Sequence, residues 1–175
     1  MSNIGVLKDR RGKNGVILHP KDIASFNNEL NFIVAEGAGK VEGFTDQSYE
    51  NAGCFIAETN AEVIKYADIV IVHDEVNMSL HLSSEKIFLS DVDYHSHFAS
   101  LIPMIGEPID LFSFYGIVDK NSLENKLTKD YYLGFLKYFI GEPVSSDLID
   151  TIASSKILNQ GKVSNHKMIE MINMI

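Results

Sequence analysis

Four consecutive β-branched residues, Ile69-Val70-Ile71-Val72, follow Asp68 in the 175-residue chain and constrain the fold more than any other feature. A strand with one wet face alternates apolar and polar residues. An unbroken β-branched run belongs in a sheet covered on both faces, which is the situation of parallel strands joined by helical crossovers. Helices must then stand on either side of the sheet. The rest of the first two-thirds has the matching rhythm. Ile4 to Leu7, Phe32 to Ala35, Cys54 to Ala57, Lys86 to Ser90 and Ile109 to Phe114 read as further strands. Val16 to Leu18 is a shorter apolar run.

Helical segments fit between them. Pro20 suits a first helical turn, where its missing N–H costs nothing, and that helix runs to about Phe26 before Asn27-Asn28. Thr45 caps a short helix through Tyr49 that Ala52-Gly53 closes, and Thr59 or Asn60 caps Ala61 to Tyr66. The last third is helical. Leu123, Leu127, Tyr131, Phe135 and Phe139 recur every four residues until Gly141 and Pro143. Ser145 or Ser146 caps a helix through Ala153, and Asn165 to Ile175 makes a final one. The sequence therefore predicts an α/β fold with a largely parallel sheet over residues 1–120 and a helical extension, 121–175, packed on the same domain.

Fifteen basic against twenty-four acidic side chains give a net charge of −9, which disfavours nucleic acid and anionic membrane surfaces. The basic group Lys8, Arg10, Arg11 and Lys13 is too short to reverse that field. One cysteine, Cys54, cannot form an internal disulfide and reads as a buried strand residue. No segment has the order of a signal peptide, and no apolar run reaches the roughly 18 residues of a membrane span. The cytoplasm is the expected location.

Three segments carry a family likeness. Ile4-Gly5-Val6-Leu7-Lys8-Asp9-Arg10, with Asn14-Gly15-Val16-Ile17-Leu18-His19-Pro20, is similar to "IGVPKE" followed by "NRVALTP". Glu36 to Tyr49, then Ala52-Gly53-Cys54, resembles "EKGAGEGSGFSDEDY…AGA". Ala67 to Val72 resembles the start of "ADLILKVKEP". In order and spacing these resemble the N-terminal, substrate-side domain of the alanine dehydrogenase and pyridine nucleotide transhydrogenase family. Pro20-Lys21-Asp22-Ile23 with Phe26 and Asn28-Glu29 also resembles the opine-forming branch, such as carboxyethylornithine synthase. Glu107 to Leu111 is similar to saccharopine dehydrogenases. The resemblance implies flavodoxin-like or Rossmann-like layering without a nucleotide fingerprint. Gly37, Gly39 and Gly43 are spaced G-x-G-x-x-x-G, which departs from the dinucleotide motif and reads as a glycine turn.

In that family an Arg of "NRVALTP" and the second Lys of "KVKEP" hold a keto acid, and a His aids proton transfer. At the matching positions this chain has Gly15 and Asp74, and the His position falls near Asp93, with His95 two residues on. Lys8, Arg10, Arg11, Lys13 and His73 are the remaining candidates for binding an anionic substrate, and His95, Asp93 and Asp74 are the catalytic candidates. Asp91, Asp93, His95 and His97 alternate, so in an extended segment they share one face and suit a divalent metal. His19, His81 and His166 lack such company and read as surface or loop residues.

Three functions follow. The chain is a degenerate domain that binds a small anionic metabolite or a partner. Alternatively it is the substrate side of a split oxidoreductase whose NAD(P) comes with a separate Rossmann-domain partner. Or it is a small enzyme or metal-binding protein built on residues 91–97. No cofactor is expected in the isolated chain, which is not expected to transfer hydride alone. A homodimer, or a self-cap by the C-terminal helices, is expected to cover the face that meets the nucleotide domain in complete relatives.

Overall fold

The computed structural model describes residues 1–8, 16, 18–26, 28–72, 85–90, 110–113 and 124–156. Six strands form one sheet: β1 (Asn3–Val6), β2 (Asn31–Ala35), β3 (Phe55–Ala57), β4 (Ile69–Val72), β5 (Ile87–Ser90) and β6 (Asp110–Ser113). Their order is β3-β2-β1-β4-β5-β6, and every neighbouring pair is parallel. The chain winds outward from β1 in one direction and from β4 in the other. That doubly wound pattern places a topological switch between β1 and β4, and all strands end at one edge.

All four residues of β4 are buried, as the continuous β-branched run requires. Gly5 of β1 serves a packing purpose. A Cβ there would lie 2.8 Å from both Ala67 Cβ and Val63 Cγ1, so glycine lets helix α3 (Asn60–Tyr66) rest directly on the strand. At the opposite edge from the strand ends, Asn3 N–H donates to Asp68 Oδ2 at 2.8 Å and Asn3 Nδ2 donates to the Tyr66 carbonyl at 2.9 Å. These bonds tie the starts of β1 and β4 together.

Helix α1 (Pro20–Ala24) follows the buried Leu18, and α2 (Asp46–Asn51) is capped by Thr45, whose Oγ1 accepts from Ser48 N–H at 3.2 Å. Thr59 caps α3 in the same way through Glu62 N–H. A one-turn 3-10 segment, Lys40–Glu42, links β2 to α2, and Gly43 leaves it at φ +82°.

Helix α4 (Glu124–Phe139) stops at Gly141, φ +83°, and α5 (Ser146–Ser155) is capped by Ser145. The seam of α4 is centred differently from the expected every-fourth row. Tyr132, Phe135 and Leu136 are fully buried, whereas Tyr131 and Phe139 are half-buried. The buried set advances by three and four residues, which keeps one face on the core, while a strict four-residue step drifts around the helix. Phe135 packs edge-on against Phe112 of β6 at 5.1 Å, and Tyr132 Oη donates to the carbonyl of Val72, the last residue of β4, at 3.2 Å. The helix expected over Asn165 to Ile175 lies outside the described residues. Among the described residues, no helix is long and apolar enough to cross a membrane.

Candidate functional site

A cleft of about 460 Å³ opens where β1, β2 and β3 end. Its walls come from the residues just past each strand: Lys8 after β1, Glu36 and Gly37 after β2, Glu58 after β3. Past Val6 the β1 backbone has run out of strand partners. Asn60, the first residue of α3, replaces them: its Oδ1 accepts from Lys8 N–H and its Nδ2 donates to the Lys8 carbonyl, each at 2.8 Å. An amide offers one acceptor and two donors, so a single Asn side chain satisfies both backbone groups of one residue.

Gly37 forms the floor beside Lys8. Its φ of +72° is a left-handed conformation that suits glycine, and a Cβ added there would sit 3.2 Å from Lys8 Nζ. Gly37 N–H donates to Asp46 Oδ1 at 2.8 Å, which fixes the turn to α2. Lys40 completes the lining. Lys8 and Lys40 are exposed, and among the described residues neither amine has a carboxylate partner. Two ammonium groups with no ion-pair partner among the described residues therefore share the cleft with the carboxylates of Glu36, Asp46 and Glu58.

The neighbouring glycine turn does not fit a dinucleotide. A Cβ at Gly39 would lie 2.7 Å from Phe44 Cβ and 2.8 Å from Tyr49 Cε2. The space that a pyrophosphate would take beside such a glycine is filled by two aromatic side chains.

A second polar group sits where α1, the 3-10 turn and α4 meet. His19 precedes α1, and Asp22 Oδ2 accepts from its backbone N–H at 2.9 Å. Lys129 Nζ of α4 reaches the same Asp22 oxygen at 2.9 Å and His19 Nδ1 at 3.1 Å. The other ring nitrogen, Nε2, pairs with Glu42 Oε2. The His19 ring packs against Phe44, tilted by 40° with centroids 4.7 Å apart, and Tyr49 Oη donates to the Leu18 carbonyl at 3.0 Å. His19 lies in the loop before α1, as expected of a surface or loop residue, but it does not lack company: it is the hub of a partly buried network, because the chain brings Glu42 and Lys129 to it from 23 and 110 residues away. Burial, before all else, raises the Tyr49 phenol above its ordinary range, and the charge of Glu42 adds to the effect.

Of the residues singled out in the sequence, Lys8 lies in the cleft. Arg10, Arg11, Lys13, His73, Asp74, Asp91, Asp93, His95 and His97 lie outside the described residues, as does Gly15. The described residues that precede those segments, Lys8, Val72 and Ser90, all stand at the strand-ending edge of the sheet. Among the described residues, no three His, Cys, Asp or Glu side chains gather as metal ligands. Sequence reasoning missed Asn60, Lys40 and Glu58. Asn60 carried a signal, since a helix-start Asn just past a strand can turn its amide on neighbouring backbone.

Residues 9–107, more than half of the chain, match the family model described as "Alanine dehydrogenase/PNT, N-terminal domain". Among solved structures, the chain is similar to one titled L-alanine dehydrogenase, with a TM-score of 0.53 and 16% identity over 65% of this chain and 32% of that one. It is also similar to a transhydrogenase from Sinorhizobium meliloti, with a TM-score of 0.55 and 18% identity over 78% of this chain and 42% of that one. At these identities the likeness is one of fold, and the chain spans less than half the length of either protein. No curated protein matches the sequence.

Proposed function

Because the chain belongs to the alanine dehydrogenase/PNT N-terminal domain family, we propose that it serves as a substrate-side binding domain whose cleft past β1, β2 and β3 holds a small metabolite bearing a carboxylate. One observation carries this reading: Lys8, pinned at both backbone groups by Asn60, places beside Gly37 in the cleft an amine that has no ion-pair partner among the described residues. Fixing the Lys8 backbone keeps the root of its side chain at the cleft, and charge-assisted hydrogen bonds from an ammonium to a carboxylate are the strong ones. The volume suits a small molecule, since ligand clefts run to a few hundred cubic ångströms. Glu36 and Glu58 disfavour polyanions such as nucleotides.

Calorimetric titration with a panel of 2-keto acids, amino acids and dicarboxylates tests the reading. At least one should bind, and Lys8→Met should weaken it by about tenfold or more, the scale of one charge-assisted hydrogen bond. Failure of the whole panel, or equal binding by Lys8→Met, would contradict it.

The family and fold support a second reading, in which the domain works beside a nucleotide-binding domain that brings NAD(P). Co-purification of a Rossmann-domain protein in stoichiometric amount from the native host would favour it.

A further inference from the structure

We propose that Glu42, His19, Lys129 and Asp22 form a protonation-sensitive clasp that fastens α4 to the turn carrying Lys40. The partners of the imidazole dictate its state. Lys129 Nζ has only hydrogens to offer, so the Nδ1 that it approaches at 3.1 Å must present a lone pair. The Glu42 carboxylate accepts only, so the Nε2 beside it must carry the hydrogen. One neutral tautomer satisfies both ends, and the ring then bridges a residue of α4 to a residue of the 3-10 turn.

A second proton has only Nδ1 to occupy. There it faces the Lys129 ammonium, hydrogen against hydrogen and cation against cation. The pairing of Nε2 with Glu42 strengthens at the same time. Acid thus separates α4 from His19 while leaving the turn closed on the ring.

The charged groups that face His19 among the described residues are Glu42 from the turn, Asp22 from α1 and Lys129 from α4. Phe44 covers one ring face, and the Tyr49 phenol beside Phe44 is occupied by the Leu18 carbonyl. Lys129 keeps Asp22 when it loses His19, so the helix loosens at this end instead of leaving. The four side chains are 13–33% exposed, shielded enough for the contact to matter and open enough for protons to exchange.

The test needs no ligand, so it stands apart from the cleft's occupancy. Nitrogen-15 spectra of the His19 ring and amide exchange of the full chain would be followed together as the pH is lowered from about 8 to about 5. At the upper end Nδ1 should read as the bare nitrogen and Nε2 as the protonated one. Protection factors at the Lys129 end of α4 should fall about tenfold as the ring takes its second proton, the scale of one charge-assisted hydrogen bond. Lys129→Met and His19→Gln should each abolish the pH response, and His19→Gln keeps the chain without a titrating ring. Constant protection of α4 through the ring's titration, or a response retained by either variant, would overturn the proposal.

Discussion

Single residues carry much of the chemistry through what surrounds them. Cys54 is buried just before β3, and burial pushes its thiol up from the ordinary 9.0 to about 12. It is therefore an inert packing residue at neutral pH and not a nucleophile, because the thiolate is the reactive species. The folded protein should resist alkylation at pH 8, with labelling appearing only as the chain unfolds. Fast labelling of the native protein would contradict that. The sign of the linked stability is fixed by the same shift. A raised acid is neutral in the fold, so its contribution is complete below about pH 9 and is lost as pH rises toward about 12. The Tyr49 phenol, also raised chiefly by burial, acts in the same direction. Alkaline melting should show this decline, and Cys54→Ala should remove the thiol's part of it.

At the scale of elements, the contact between β1 and α3 depends on a missing side chain. Gly5→Ala places a Cβ 2.8 Å from Ala67 Cβ, which has no rotamer to escape into. Overpacking of this kind costs about 1–3 kcal/mol, and urea unfolding should show the loss. Ala67→Gly in the same chain should restore part of it. No loss in Gly5→Ala would mean that α3 does not rest on β1 as described. The elements themselves were largely legible. The β-branched run of β4, the Thr45 and Thr59 caps and the stop at Gly141 follow from local rules that nothing distant overrides. The seam of α4 was less so, because Tyr131 and Tyr132 are equally apolar in sequence. Only the position of Phe112 and the Val72 carbonyl decides which one is buried. The candidate site was legible through Lys8 alone. Its other parts come together from the ends of three strands, and the sequence does not print which strands are neighbours. The partners of His19 were missed for the same reason: they are set by tertiary structure.

Across the whole molecule, a buried ion pair joins the end of α5 to the sheet edge, beside the contacts of α4 with Phe112 and Val72. Lys156, just past α5, lies 3.4 Å from Asp110 of β6, with both side chains almost wholly buried. Among the described residues the Lys156 ammonium has no hydrogen-bond partner, and it stands 5.9 Å from the centre of the Phe112 ring. Removing one partner of such a pair strands a charge in the interior. Asp110→Ala should therefore cost about 3–5 kcal/mol, whereas the double change Asp110→Leu with Lys156→Met should recover most of that. Chemical denaturation of the three proteins checks it, and additive losses in the double variant would contradict the account.

On the function proposed for it, this domain takes a small carboxylate in the cleft at the ends of β1, β2 and β3. Amide and side-chain resonances recorded during titration with the tightest-binding small carboxylate would locate the bound molecule. The Gly37 backbone amide and the Asn60 side-chain amide should shift in a saturable way, and in Lys8→Met the same shifts should need about tenfold more ligand. Saturable shifts elsewhere in the chain with Gly37 and Asn60 unmoved would contradict that placement.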